Sequence, residues 1–533
     1  MSNEKAMFKL PHSGMRGQSS FPWVFGYFPP EADQPLAGGT SVFRPSRRWL
    51  YRVFVLVLLG TVACTTSETL ASGAAPGRPA GSKWEIGAPI TSYYQGPGAG
   101  EHFGLMTPAI ARKMADGGFN LVWCQTVEEL DAAHAQGLRA LFFPLSLGFG
   151  DPKGIYYVLD DPHQRARLDA VIEQVKDHPA MYGYYIHDER SAAIFPLLGR
   201  IVAYIRERDP DHMCLVNLYP TYASANSLGI PIDYYGPISD EQRALDALAG
   251  VGYSIDAYRE HLRQFVEIVK PDLISYDHYH FLGELAREVG SQRFVTDSQL
   301  RQGDNVQYFL NLALVREAAV KSGLPFVNVV QACALDDEGY GDWRIPNGDE
   351  GRFLAYTTLA YGGQGLSQFV YYARVPPFRG GVSNFYVFDD SLTPLGEALR
   401  QINPEFIAIG TEVQPLTSLG AYHLGTVPFG AVGLPADARF TVDPPVPPAK
   451  FDPPAPVTGM LLGYFGTAGN TTHVLVVNLD YTQDVTTTVV GPGSMEVFDA
   501  TERKWHKASD GSRARVSLMP GGGKLVRLAG VQD

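Results

Sequence analysis

Between residues 86 and 410, short apolar stretches alternate with longer segments that carry helix start and stop signals. A repeated order of strand then helix is typical of a parallel sheet built from βαβ units. We predict strands at 90–94, 120–124, 140–144, 182–187, 215–219, 273–277, 326–331 and 365–371. We predict helices near 107–117, 127–136, 163–177, 191–207, 254–269, 306–321, 350–362 and 394–408. Eight such units predict an α/β fold, a closed (β/α)₈ TIM barrel in which the first and last strands are neighbours.

After residue 410 the pattern changes to short alternating strands separated by turns, with a proline-rich insertion at 444–456. Segments 474–479, 486–490 and 525–528 are typical of antiparallel strands. We therefore predict a small antiparallel β-sandwich over 411–533, following a barrel over 86–410. This second domain either packs against the barrel or binds carbohydrate. Within the barrel, the long loops 220–253 and 282–304 are expected to wall a cleft.

The first 64 residues have the features of a targeting leader. Arg47, Arg48 and Arg52 precede an apolar run at 53–59, and small residues follow as far as Cys64. A positive region, a short apolar region and a small-residue zone are typical of an export signal, and the run is too short for a convincing membrane span. The segment before Cys64 resembles a bacterial lipoprotein box. We expect either membrane attachment through a lipid on Cys64 or simple secretion, with 65–85 as a linker.

Composition narrows the function classes. The chain carries 43 lysines and arginines against 56 aspartates and glutamates, a formal net charge of −13. This acidic balance argues against a nucleic-acid partner, which requires a basic surface. The four cysteines show no metal-ligand spacing, so we expect buried thiols. No phosphate-binding loop or dinucleotide fingerprint is present, and we expect no cofactor.

The most informative motif is residues 182–189, which close the fourth predicted strand with Asp188 and Glu189. Acidic residues at the carboxyl end of a barrel strand face the mouth, where the active sites of such barrels lie. Because side chains alternate along a strand, we expect these two carboxyls to point in different directions. One of them then does chemistry, while the other braces a loop or binds substrate.

Residues 182–189 resemble the large clan of (β/α)₈ retaining glycosidases, which carries an acid/base glutamate at the end of strand four. Glu189 matches that position, whereas Arg190 departs from the proline found in many members. Residues 347–372 resemble the β-galactosidase-like branch of the clan. The resemblance implies glycoside hydrolysis with Glu189 as the acid. It fails at the end of strand seven, where the clan has its glutamate nucleophile and this chain has Gln331.

Glycoside hydrolysis needs a second carboxyl, so a partner for Glu189 must be found elsewhere. Asp277, at the end of strand six, is the best placed, and the alternative is that it orients a loop or a substrate hydroxyl. Glu350 is the next candidate, although an acid at a helix start also favours the helix dipole. The acids at 336–338 are more typical of a solvated loop or a cation site. We favour inversion over retention, with Gln331 hydrogen-bonding substrate or water.

Further candidates for substrate contact are polar or aromatic residues at or just after strand ends. His278 and His280 could bond sugar hydroxyls, and we predict no metal site because no third histidine matches them. Aromatic faces at strand ends can stack on sugar rings, although each alone is more often core. These residues are Tyr93, Tyr94, Trp123, Tyr219, Tyr279 and Tyr371.

Taken together, these patterns predict an exported glycoside hydrolase that acts on a polysaccharide or oligosaccharide. Two alternatives stay open: a non-catalytic carbohydrate-binding lipoprotein, motivated by Gln331, and a transglycosylase.

Overall fold

The computed structural model describes residues 78–99, 103–144, 147–149, 154–230, 255–282, 307–337, 341–372, 378–384, 391–450, 456–467 and 469–530. The leader predicted at 1–64, with Cys64, and residues 65–77 of the linker lie outside these ranges, as do 231–253 and 283–304 of the long loops. In the ranges that are described, no helix is both long and apolar enough to cross a membrane.

Eight parallel strands form a closed barrel, which confirms the predicted fold class. They are β1 Ile90–Tyr93, β2 Leu121–Cys124, β3 Arg139–Phe142, β4 Met181–Asp188, β5 Met213–Leu218, β6 Ile274–His278, β7 Phe326–Gln331 and β8 Gly365–Phe369. Strands β1 and β8 close the ring, with Ile90 opposite Gly365 and Tyr93 opposite Gln368. All eight carboxyl ends therefore meet at one mouth, where the motif that ends β4 also lies.

Eight helices alternate with these strands. They are α1 Pro108–Asp116, α2 Val127–His134, α3 Pro162–Val175, α4 Phe195–Arg208, α5 Ile255–Gln264, α6 Tyr308–Ser322, α7 Gly348–Ala360 and α8 Pro394–Val413. Side chains that precede a helix accept its first free backbone N–H groups at Thr107, Thr126, Asp161, Asn347 and Thr393. Such caps set where a helix begins, which is why the predicted helix starts lie close to the observed ones.

Short elements that the sequence did not predict decorate the barrel. Cys333–Asp337, Gly341–Trp343 and Phe378–Gly380 form a three-stranded antiparallel sheet beyond β7 and β8, and Ser383–Asn384 pairs with Ser391–Leu392. Single turns of helix occur at Gly154–Tyr157, Ala192–Ile194 and Ala225–Leu228, and a π-helical turn at Phe265–Val269 continues α5. Strands of two to five residues in loops carry too little periodicity to be recognised in a sequence.

The C-terminal domain is a sandwich of two sheets. Its strands are β9 Thr417–Gly425, β10 Val432–Gly433, β11 Thr441–Asp443, β12 Gly459–Thr467, β13 Asn470–Asn478, β14 Val485–Val490, β15 Met495–Asp499, β16 Lys504–Lys507, β17 Arg513–Leu518 and β18 Gly523–Leu528. One sheet has the order β10-β9-β12-β13-β18-β15-β16 and the other β11-β14-β17. All pairs are antiparallel except β9 with β10. Buried side chains from both sheets, including Val442, Leu462 and Val516, form the core.

The sandwich packs directly against the barrel. Gly463 of β12 lies so close to Ala360 at the end of α7 that a Cβ atom there would overlap the Ala360 backbone. Arg316 of α6 donates to the Ser418 hydroxyl at 2.8 Å and to its carbonyl at 2.7 Å. These contacts fit the packing role considered for this domain. Cys124, Cys214 and Cys333 are buried free thiols, as predicted.

Candidate functional site

The end of β4 departs from regular strand geometry. The pairing of β4 with β5 shifts register between Tyr185 and His187, and Glu189 has a φ of 43°, in the left-handed region that few non-glycine residues adopt. The Glu189 N–H donates to the Asn217 carbonyl of β5 at 3.0 Å. Because the chain turns here, Asp188 and Glu189 reach one acidic cluster, and the expectation that they point apart is wrong.

Asp188, Glu189 and Asp277 form this group, called here the carboxyl cluster. The Asn217 amide joins two of its members, since Nδ2 donates to Asp188 Oδ1 at 3.1 Å and to Asp277 Oδ1 at 3.0 Å. Burial and then the negative charge of Asp277 raise the pKa of Glu189, so these two carboxyls also lie near each other. The strand ends of β4 and β6 thus bring three carboxyls together at the mouth of the barrel.

Burial is the main cause of the raised pKa of each carboxyl. It raises the pKa of Glu189 well above its usual range, and the negative charges of Asp277 and Asp188 raise that pKa further. The pKa of Asp277 is also raised by burial and by Asp188, against a hydrogen bond from Asn217. Burial raises the pKa of Asp188, against a hydrogen bond from Asn217. Desolvation and like charges of this kind are how enzymes keep an acid protonated near neutral pH.

Aromatic rings from three strands fill the barrel beneath the carboxyl cluster. Tyr185 of β4 contacts Tyr94, which follows β1, at a ring-centroid distance of 6.2 Å and Trp123 of β2 at 4.7 Å. Because these strands are not neighbours of β4, the contacts pass through the barrel interior. The Tyr94 hydroxyl donates to that of Tyr185 at 3.3 Å, and burial and the charge of Asp188 raise the pKa of Tyr94. These rings give the cluster the apolar floor that desolvates it.

Two of the predicted substrate-binding tyrosines lie at the cluster. Tyr219 follows β5 and is partly exposed, and the charge of Glu189 adds to burial in raising its pKa. Tyr279 follows β6, and the charge of Asp277 has the same effect on it. The Tyr279 ring stacks on Phe369 at the end of β8 at 5.2 Å. Both rings therefore lie beside the carboxyl cluster, and their contact with a sugar stays a prediction.

Three other predicted aromatic contacts belong to the packed interior instead. Tyr93 and Tyr371 pack against each other and against Phe119, on the outer side of the strands. The Tyr93 hydroxyl donates to the Pro97 carbonyl at 2.8 Å and accepts from the Trp123 N–H at 3.1 Å. Trp123 lies inside the barrel but is 1% exposed, and its indole N–H donates to the Tyr93 carbonyl. The structure gives these three residues packing roles and does not support their predicted contact with a sugar.

His278 and His280 lie behind the barrel wall and not at its mouth. His278 alternates with Asp277 along β6, so its ring faces α6, where Nδ1 lies 3.0 Å from Asn311 Oδ1. The His280 ring stacks on Phe353 of α7 at 5.5 Å. Burial lowers the pKa of His278 to about 4, which keeps it neutral. Both residues are interior side chains, and their predicted contact with substrate is corrected.

Gln331 holds two loops together through its amide group. Its Oε1 accepts from the Phe281 N–H at 2.8 Å, while its Nε2 donates to the carbonyls of Phe281 at 2.8 Å and Arg344 at 2.5 Å. The side chain is 2% exposed. The predicted role of Gln331, bonding substrate or water, is therefore replaced by a structural one. The acids at 336–338 have side chains outside the described part of the chain.

Glu350 is a helix cap and not a catalytic carboxylate. Its side chain accepts from both Arg344 guanidinium nitrogens, at 2.7 and 2.5 Å, and from the Asn347 N–H at 2.8 Å. The Asn347 side chain accepts from the Glu350 N–H in return, which completes a capping box at the start of α7. The predicted catalytic role of Glu350 is thus wrong, and the alternative based on the helix start is correct.

Replacing Glu350 by alanine should therefore destabilise the protein and spare its chemistry. The change leaves the Arg344 guanidinium without its carboxylate and removes half of the capping box. We expect a loss of about 2–3 kcal/mol in the free energy of unfolding, from a lost cap and a broken partly buried ion pair. Urea denaturation measures it. Glu397→Ala, an exposed acid in the first turn of α8, is the matched control and should cost under about 0.5 kcal/mol. An unchanged stability of Glu350→Ala would contradict the structural role.

The distance between Glu189 and Asp277 bears on stereochemistry. Carboxyls that flank a scissile bond lie about 5–5.5 Å apart in retaining enzymes and about 6.5–9.5 Å apart in inverting ones. Glu189 and Asp277 lie near enough for the charge of Asp277 to add to burial in raising the pKa of Glu189, which fits a catalytic pair of either kind. Inversion therefore stays a prediction.

Sequence reasoning missed Asn217 and Tyr185. Asn217 is a polar residue within the otherwise apolar strand β5, and it is 1% exposed. That interruption is the signal that could have identified it, because a buried amide needs partners. Tyr185 had no such signal, since a tyrosine in a strand is most often core. Tyr94 was proposed only as one of several strand-end aromatics.

No protein family model matches the sequence, and no curated protein does either. Solved structures that the chain resembles include an endo-β-1,4-mannanase from Thermotoga petrophila, at 10% identity and a TM-score of 0.37, covering 81% of this chain and 97% of that one. A family 5 glycoside hydrolase from Bacteroides vulgatus is 12% identical, with a TM-score of 0.42 and coverage of 80% and 86%. A family 39 glycoside hydrolase from Bacteroides cellulosilyticus is 12% identical, with a TM-score of 0.37 and coverage of 83% and 81%.

The last two are hydrolases of the class that residues 182–189 and 347–372 resemble. At such identities and TM-scores the similarity carries no argument about activity. Function must therefore be argued from the side chains of this chain.

Proposed function

We propose that the chain is a glycoside hydrolase in which Glu189 is the general acid. The observation that carries the proposal is the group of three carboxyls at the mouth of the barrel, where burial and the charges of Asp277 and Asp188 raise the pKa of Glu189. A raised pKa keeps an acid protonated closer to neutral pH, as protonation of a glycosidic oxygen requires. The left-handed backbone of Glu189 adds support, because strained residues are concentrated at functional sites.

The chemistry balances with the groups present in the cluster. Glu189 gives its proton to the departing glycosidic oxygen while the bond from that oxygen to the anomeric carbon breaks. Positive charge develops on the sugar ring, and anionic Asp188 and Asp277 stabilise it electrostatically. A water molecule adds to the anomeric carbon, and its proton returns to the cluster. Tyr219 and Tyr279 offer ring faces to the sugar at this point.

The proposal is tested by incubating the purified protein with plant, bacterial and algal glycans and measuring new reducing ends. We expect release from at least one glycan and no release from the same glycan with Glu189→Gln. Equal release by both proteins would reject Glu189 as the acid. If no glycan in the panel is cleaved, the hydrolase proposal fails.

A second candidate function is carbohydrate binding without hydrolysis. It is favoured by Gln331, since the place of the clan's nucleophile holds an amide that bonds backbone groups. Calorimetry with the same glycans distinguishes this candidate, because binding would occur with no new reducing ends and would survive Glu189→Gln. Products longer than the starting glycan would instead indicate a transglycosylase.

We propose further that the chain is exported and carries a lipid on Cys64, from the arginine-flanked apolar run that ends there. Expressed in its own host, the protein should incorporate labelled palmitate, and Cys64→Ala should lose the label. Cys124→Ala, which changes a buried thiol, is the matched control and should keep it. A protein without label in the cytoplasmic fraction would contradict the proposal.

A further inference from the structure

Asn217 contacts every member of the carboxyl cluster. Its backbone carbonyl accepts from the Glu189 N–H at 3.0 Å, and its Nδ2 donates to Asp188 Oδ1 and Asp277 Oδ1. Its Oδ1 accepts from the Ser275 hydroxyl at 2.8 Å. The side chain is 1% exposed, so these partners account for its amide. The residue lies on β5, between the strands that carry the three acids.

We propose that Asn217 is a positioning residue that holds Asp188 and Asp277 through its amide, favours their ionised forms and so leaves the proton of the cluster on Glu189. The inference rests on the proposed function for its catalytic consequence, but the position of the proton can be measured without turnover.

The orientation of the amide is the first step. With Oδ1 toward Ser275, both Nδ2 hydrogens point at carboxyl oxygens of Asp188 and Asp277. An ionised carboxylate can accept hydrogen bonds but cannot donate them, so this orientation suits the ionised form of both aspartates. The reverse orientation would set the amide oxygen against Asp188 and Asp277, and both would then need a proton. Ser275 supplies a donor that favours the first arrangement.

The second step is the competition for the proton. A hydrogen bond donated to a carboxylate stabilises its charged form. Asp188 and Asp277 each receive one from the side chain of Asn217. The Glu189 carboxyl receives none from that side chain. The proton is therefore most stable on Glu189, which is also the carboxyl that the left-handed turn brings into the cluster.

The other charged and titratable groups around the cluster come from five elements, β1, β4, β5, β6 and α5. Arg190, after β4, favours the charged forms of Glu189 and Asp188. The remaining neighbours are phenols, which stay neutral because burial raises each pKa. They are Tyr94, Tyr185, Tyr219, Tyr258 and Tyr279. Of these neighbours, Arg190 alone carries a charge near neutral pH, and it faces Glu189 as well as Asp188, so it does not distinguish between them.

The test is a pH titration of the full chain labelled with ¹³C at its aspartate and glutamate carboxyl carbons, followed by NMR. Signals are assigned by their loss in Glu189→Gln, Asp188→Asn and Asp277→Asn. In the wild type we expect Glu189 to release its proton at a higher pH than the two aspartates. In Asn217→Ala, the titrations of Asp188 and Asp277 should move upward by about one pH unit or more, a tenfold change in proton affinity.

Asn328→Ala is the matched control, because Asn328 is equally buried on β7 but donates to Thr358 outside the cluster. It should leave the three titrations unchanged. If Asn217→Ala does not fold, Ser275→Ala should give a smaller upward shift, since it releases the amide from its orienting donor.

The inference is overturned if Asp277 holds the proton in the wild type, or if a folded Asn217 variant titrates like the wild type. NMR needs no turnover, so the two proposals can fail separately. If the protein shows the expected titrations but cleaves no glycan, the hydrolase proposal is rejected and the inference about Asn217 stands. Where hydrolysis is found, kcat/KM is measured against pH. The acidic limb of that pH profile should move to higher pH in Asn217→Ala and should not move in Asn328→Ala.

Discussion

Glu189→Gln should lower kcat on an unactivated glycan by about 10²–10⁴-fold, the range that general acid catalysis contributes. Glutamine has nearly the same shape as the protonated acid but cannot transfer a proton to the departing oxygen. The loss should be smaller for a substrate whose leaving group is acidic, because such a group departs without protonation. Initial rates with both kinds of substrate measure the difference. Glu350→Ala, whose carboxylate is an ion-paired cap, is the control that should keep wild-type kcat.

Glu189→Gln should also fold, and it should be more stable than the wild type at neutral pH. The pKa of Glu189 is raised in the folded state, so the native protein holds a proton that the unfolded chain releases near pH 4.3. The free energy of unfolding therefore falls as pH rises from that value through the folded pKa. Glutamine avoids this cost, and we expect Glu189→Gln to gain at least about 1 kcal/mol at pH 8, with the gain vanishing in acid. A variant that is less stable than wild type at pH 8 would contradict the assignment.

Gln331→Glu, which restores the residue type of the clan's nucleophile, should destabilise the protein and add no activity. The amide Nε2 donates to the Phe281 and Arg344 carbonyls, and a carboxylate would face both carbonyls at a position that is 2% exposed. Two donated bonds are lost and a buried charge is unpaired, so we expect a cost of about 3 kcal/mol or more in the free energy of unfolding.

Gln331→Met serves as the control for Gln331→Glu, because it removes the hydrogen bonds without adding a charge and should cost less. Urea denaturation near pH 8 and at pH 5 separates the two, since protonation of the glutamate should recover part of its loss. Wild-type stability of Gln331→Glu, or a higher kcat, would show that the position faces substrate after all.

The barrel could be predicted from the sequence because each of its strands and helices is marked by residues that are close together in the chain. Strand length, helix caps and the order of elements can be read within a short window, and Thr107 and Asn347 cap helices where those signals stand. Parallel strands bring all their carboxyl ends to one mouth, so the motif that ends β4 at Glu189 must lie at that mouth. For the same reason Asp277, at the end of β6, could be chosen as its neighbour before any contact was seen.

The roles of individual side chains depended on partners that are distant in sequence. Asn217 joins Asp188 and Asp277 across 29 and 60 residues, and Gln331 holds Phe281 across 50. Whether Tyr93 or Tyr94 faces the barrel depends on strand register, which a shift of one residue reverses. The left-handed turn at Glu189 overrode the alternation expected of a strand. A sequence thus specifies the mouth of a barrel through short-range periodicity, while hydrogen bonds between separate strands determine which of its polar residues contact one another.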